Sequence, residues 1–92
     1  MPERFVTVRW PGGPEQRIYS PSTVVEDYFQ AGQSLPVADF LTRSREALTI
    51  ASDRVQAAYG FPCGNAARSL AAIEAHAARF PAGDVTVLGV GA

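Results

Sequence analysis

The chain contains no lysine, and only one cysteine, one histidine and one tryptophan, in 92 residues. Without lysine, Schiff-base and P-loop lysine chemistry is unavailable. The single cysteine, Cys63, excludes an internal disulfide. With His76 as the one histidine, a structural zinc site within the chain has too few strong ligands, and no metal or cofactor is expected. No apolar run approaches the ~20 residues that span a bilayer. The start lacks the basic opening and long apolar core of a signal peptide. No membrane partner is therefore expected, and the expected location is the cytoplasm. Positive charge is not concentrated either. All eight basic residues are arginines, spread from Arg4 to Arg79, against nine acidic residues, for a net charge of −1. Nucleic-acid binding needs basic charge gathered on one face, so it is not expected.

What is present suits one α+β domain spanning residues 1–92. The 47% apolar content is that of a folded globular chain. Residues 4–10 are rich in β-branched and aromatic residues and read as a strand, with Val6, Val8 and Trp10 on one face and Phe5, Thr7 and Arg9 on the other. Pro11-Gly12-Gly13-Pro14 marks a turn, and residues 15–20 return as a second strand. Ser20 or Ser22 then caps a short helix that Gly32 ends. Val24, Val25, Tyr28 and Phe29 lie on one side of it, and Glu26 and Asp27 sit near its favourable N-terminal end.

Ser34 and Pro36 mark the start of a long helix. Its seam is Val37, Leu41, Ser44, Leu48, Ala51, Val55 and Ala58, apolar but for Ser44. Running from 36 to 59, where Gly60 stops it, this helix would be about 35 Å long. A third helix runs from Cys63–Asn65 to Arg79 with the seam Ala66, Leu70, Ile73, Ala77 and Phe80, and its many alanines permit close packing against the long one. Asp84 to Val90 reads as a last strand covered on both faces. The order ββαααβ predicts a two-layer sandwich, a three-stranded sheet of order 2-1-3 with a helical hairpin on one face. The other face would expose Phe5 and Thr7 or Val6 and Val8, and a homodimer through it is expected.

Chemistry-bearing candidates are few. Cys63 falls where a helix begins, a setting that favours thiolate and makes it the one candidate nucleophile or redox thiol; the plainer reading is a buried, inert cysteine. His76 lies thirteen residues further along the same helix, about 20 Å away, too far to serve it as a base. Arg43 and Arg54 are eleven residues apart on the long helix and share a face. With Arg45, Glu46 and Asp53 nearby they offer an anion site or, more plainly, a solvated polar face. Trp10, Tyr19, Tyr28 and Phe29 either line a pocket where the hairpin meets the first helix or form core.

An ordered set of short motifs completes the reading: Arg9-Trp10-Pro11, Tyr19-Ser20-Pro21-Ser22, Asp27-Tyr28-Phe29, Asp39-Phe40, Arg43 to Leu48, Ala51-Ser52, Arg54-Val55, Tyr59-Gly60-Phe61 and Cys63. Together they resemble the small nitrogen-starvation-response proteins of bacteria, over residues 4–88. The turn after Pro11 reads Gly12-Gly13 where that family often has Asp-Gly. The resemblance implies genes beside a nitrilase, a radical S-adenosylmethionine enzyme and a flavin oxidoreductase. It also implies protein partners from that cluster, and no established catalytic residue. The expected function is a non-enzymatic accessory or subunit of a nitrogen-related pathway, acting through protein contacts. The alternatives are a small thiol-dependent enzyme or carrier using Cys63, and a module binding an anionic nitrogen metabolite.

Overall fold

The computed structural model describes residues 2–91. The elements in chain order are β1 (Arg4–Arg9), β2 (Glu15–Ser20), a 3-10 turn (Thr23–Asp27), β3 (Ser34–Pro36), α1 (Val37–Tyr59), α2 (Gly64–Arg79) and β4 (Asp84–Gly91). The sheet is antiparallel throughout, in the order β2-β1-β4-β3. The α+β class and the neighbours of β1 are those the sequence indicates. The strand count is corrected from three to four, and the three helices to two plus a 3-10 turn.

Both corrections have one physical origin. A helix continuing to Gly32 would have consumed backbone groups that the sheet takes instead. The Gly32 N–H donates to the Val87 carbonyl at 2.8 Å, and the Val87 N–H donates to the Gln33 carbonyl at 2.8 Å. The chain is thereby laid along β4, where Leu35 pairs with Val85 and is 8% exposed. Pro36 closes this short edge strand, where its missing N–H costs no ladder bond. It also stands at the helix boundary without a side-chain cap. The Gly83 carbonyl accepts from the Val37 N–H at 3.1 Å and satisfies one of the free donors of α1.

The core lies between the sheet and the helical layer. Val6, Val8 and Trp10 of β1 and its end, Ile18 of β2, and Val85 and Val87 of β4 meet Phe40, Ala47 and Leu48 of α1 and Ile73 and Ala77 of α2. The expected cover on both faces of β4 is also corrected. Val6 faces Val90 and Val8 faces Val87, so an extra residue bulges out of β4 between them. The bulge lets Val87 and Val90, three apart, serve the same inner face. Leu88 is left 37% exposed. The Phe5 and Thr7 side of the sheet carries no helix.

Candidate functional site

Arg43 and Arg54 do share a face of α1, and that face grips the segment before it. Arg54 Nη1 donates to the Ser22 hydroxyl at 3.0 Å, and Arg43 Nη1 donates to the Tyr28 carbonyl at 3.3 Å. Ser22 is buried. Its hydroxyl also accepts from the Val24 N–H at 3.3 Å and so caps the 3-10 turn. Ser20 supports it by donating its hydroxyl to the Ser22 carbonyl at 2.7 Å. Arg45 points elsewhere, joining α1 to α2 through Glu74 at 3.1 Å.

The four aromatic candidates are not brought together. Trp10 is 1% exposed, donates its ring N–H to Gln16 Oε1 at 2.9 Å, and meets Phe40 edge-on at 5.4 Å. Phe29 packs against the other side of Phe40 at 5.3 Å. Tyr28 lies at the margin of the core, lining an open depression with Arg45, Glu46, Thr49 and Ile50. Tyr19 is on the opposite side of the sheet, edge-on to Phe5 at 5.6 Å.

His76 of α2 reaches the sheet. Its ring stacks on Trp10 at 5.2 Å with 17° between the planes, and the Ala72 carbonyl accepts from its Nδ1 at 3.0 Å. Nothing in the helical periodicity signals that contact, because Trp10 reaches it from another element.

Cys63 is half-buried at the N-terminal boundary of α2, and its backbone N–H donates to the Ser52 hydroxyl at 3.3 Å. An unforeseen electrostatic partner is Tyr19. The Tyr19 phenol is raised above its ordinary value by burial first, then by its hydrogen bond to the Glu3 carboxylate and by the charges of Glu3 and Cys63. Ser69 of α2 holds this corner closed by donating its hydroxyl to the Tyr19 carbonyl at 2.8 Å. The Tyr19 phenol thus responds both to the Glu3 carboxylate and to Cys63. Among the described residues no three His, Cys, Asp or Glu side chains are placed to hold a metal ion. Nor is any helix among the described residues long and apolar enough to cross a membrane.

The end of α1 and its connection to α2 present the two most exposed large apolar side chains among the described residues, Tyr59 at 58% and Phe61 at 65%. Gly60 creates this tip. It takes φ of +87° and donates its N–H to the Gln56 carbonyl at 2.8 Å, ending α1 in a left-handed cap. The chain then turns through Phe61 and Pro62 into α2.

The family model described as nitrogen starvation-induced protein NitG matches residues 5–90. The chain belongs to the NitG family. Its role, with that of the family, lies in the response to nitrogen starvation. The match takes in every strand and helix described above except the first residue of β1 and the last of β4. The Arg54–Ser22 clamp, Cys63 with Tyr19, and the aromatic tip all fall within the NitG match. No curated protein and no solved structure matches the chain.

Proposed function

We propose that the chain is a non-enzymatic accessory or subunit in the nitrogen starvation response, acting through protein contacts made at the tip of the helical hairpin. The observation that carries this reading is the exposure of Phe61, 65%, beside Tyr59, 58%, in a short, backbone-ordered turn. Large aromatics supply much of the energy of protein interfaces, because a rigid ring gains area at small entropic cost. At 65% exposure, Phe61 adds little burial to the core. The partners are enzymes of the same pathway, encoded nearby. Affinity purification of the tagged chain from nitrogen-starved cells tests the reading, with Phe61→Ser run in parallel. A pathway enzyme should be enriched with the unaltered chain and lost with the variant. Equal recovery by both, or enrichment of nothing, contradicts it.

A second reading, a thiol-dependent step or carrier at Cys63, draws on its half-buried place at the start of α2 and on its electrostatic effect on the Tyr19 phenol. The rate of Cys63 alkylation against pH discriminates. A thiol that reacts only above about pH 8, the ordinary thiol range, or only after unfolding, sinks this reading and leaves the first untouched.

A further inference from the structure

Two glycines of β4, one beside the bulge at Leu88 and one at the end of the strand, leave part of the sheet without side chains. Gly89 pairs with Thr7 and Gly91 with Phe5. Cross-strand partners share a face, so both glycines turn their missing side chains toward the side of the sheet that no helix covers. Neither has a positive φ, and a Cβ built at either one meets nothing within 4 Å. Glycine weakens a strand, and it marks either a bulge, as beside Gly89, or a place where another group can approach the backbone closely. Here the bare backbone forms the floor of an open depression of about 290 Å³, lined by Phe5, Thr7, Arg17, Gly89, Val90 and Gly91.

Arg17 stands over this depression. Arg4, Arg9 and Arg45 each pair with a carboxylate. Arg17 pairs with none among the described residues, and its guanidinium lies 3.7 Å from the centroid of the Phe5 ring. Contact with a ring uses the face of a guanidinium and leaves its N–H edge available to an acceptor. The nearest acid along β2, Glu15, is taken by Arg9 at 3.2 Å. The Thr7 hydroxyl, on the same face, makes no hydrogen bond among the described residues. A positively charged fork pre-positioned on an aromatic ring, a free hydroxyl and a flat backbone floor therefore converge.

We infer that this depression binds a small aromatic or heteroaromatic carboxylate, with its ring on the Gly89–Gly91 backbone and its carboxylate on Arg17. A guanidinium fork matches the planar geometry of a carboxylate with two parallel bonds. A flat ring reaches van der Waals contact with the peptide plane only where no Cβ holds it away. The site is separate from the hairpin tip, and the inference does not depend on the protein-contact reading.

Titration of the full chain with benzoate, followed through backbone amide resonances, tests this. The Thr7, Gly89 and Gly91 amides should shift and saturate in the millimolar range. Arg17→Gln should weaken the binding at least about tenfold by removing the charged fork. Gly89→Val should abolish it while the variant stays folded, since nothing occupies the space its side chain would enter. If Gly89→Val perturbs the sheet, Gly89→Ala serves the same purpose with one methyl group. Cyclohexanecarboxylate, equally charged but not flat, should bind several-fold more weakly. Three outcomes overturn the inference: no saturable shift at these amides, unchanged affinity in Arg17→Gln, or shifts that follow protein concentration without benzoate. The last would mean that a second copy of the chain covers this face.

Discussion

Arg54 donates to the Ser22 hydroxyl at 3.0 Å across thirty-two positions of sequence, and that hydroxyl is also the acceptor that caps the 3-10 turn. One oxygen therefore serves a local task and a tertiary one. It starts the turn that follows β2, and it ties that turn to α1. With Arg43 on the Tyr28 carbonyl, both arginines of the shared face are engaged in docking the segment between β2 and β3.

Ser22→Ala should cost about 1–2 kcal/mol, the range for losing a capping side chain. Arg54→Met should cost less, about 1 kcal/mol, because the arginine itself is exposed. Urea unfolding of the two variants and their double mutant measures the coupling. Since both act through one oxygen, the double mutant should be destabilised by less than the sum of the two.

Ser44 is 1% exposed, and its hydroxyl is buried without a hydrogen-bond partner among the described residues. An unpaired buried hydroxyl costs stability, and alanine is the best helix former. Ser44→Ala should therefore raise stability by about 1 kcal/mol, read as a higher midpoint of urea unfolding at unchanged slope. A loss of similar size would show that the hydroxyl has a partner.

Gly83 and Gly89 should respond oppositely to alanine. Gly83 has φ of +102°, and a Cβ there meets Cβ and Cγ of Pro11 at 3.0 Å. Gly89 has neither constraint. Gly83→Ala should lose about 2 kcal/mol from backbone strain and crowding together. Gly89→Ala should be neutral or slightly stabilising, since a strand prefers any side chain to none. Thermal unfolding of both variants checks the contrast.

Tyr19 sets a limit on stability at high pH. Its phenol is raised from 10.0 in the folded chain, by burial first and then by Glu3 and Cys63. The unfolded state releases this proton first, so the stabilisation is fully present below about pH 10 and is lost as pH rises through the folded value. Unfolding midpoints measured from about pH 8 to about pH 11 should fall above about pH 10. The fall should be smaller in Tyr19→Phe.

The parts of this fold that were legible in the sequence are those with a sustained period. The Val37 to Ala58 seam yields α1 within a residue, and the alternation of Val6, Val8 and Trp10 yields the buried face of β1. The strand β3 has three residues, too short for any period, and Ser34 with Pro36 reads equally well as a helix start. Its pairing depends on where β4 lies, which no local signal states. The same holds for the site. Arg43 and Arg54 could be placed on one face by counting turns, but their acceptors, the Tyr28 carbonyl and the Ser22 hydroxyl, belong to another element. The apolar and β-branched run from Val85 to Leu88 reads as cover on both faces of β4, and the bulge that turns Val87 and Val90 inward breaks the two-residue alternation that would locate it. Arg17 and Phe5 meet across neighbouring strands, a juxtaposition fixed by the register of the hairpin, in which Thr7 faces Arg17 and Phe5 faces Tyr19.

Crosslinking at the hairpin tip decides whether that tip contacts a partner protein. A photoreactive amino acid placed at Phe61 and, as a control, at Glu74, an exposed position of α2 away from the tip, would be activated in nitrogen-starved cells. A discrete heavier species containing one pathway enzyme is expected from position 61, and none from position 74. No adduct at position 61, or the same diffuse products from both positions, would contradict it.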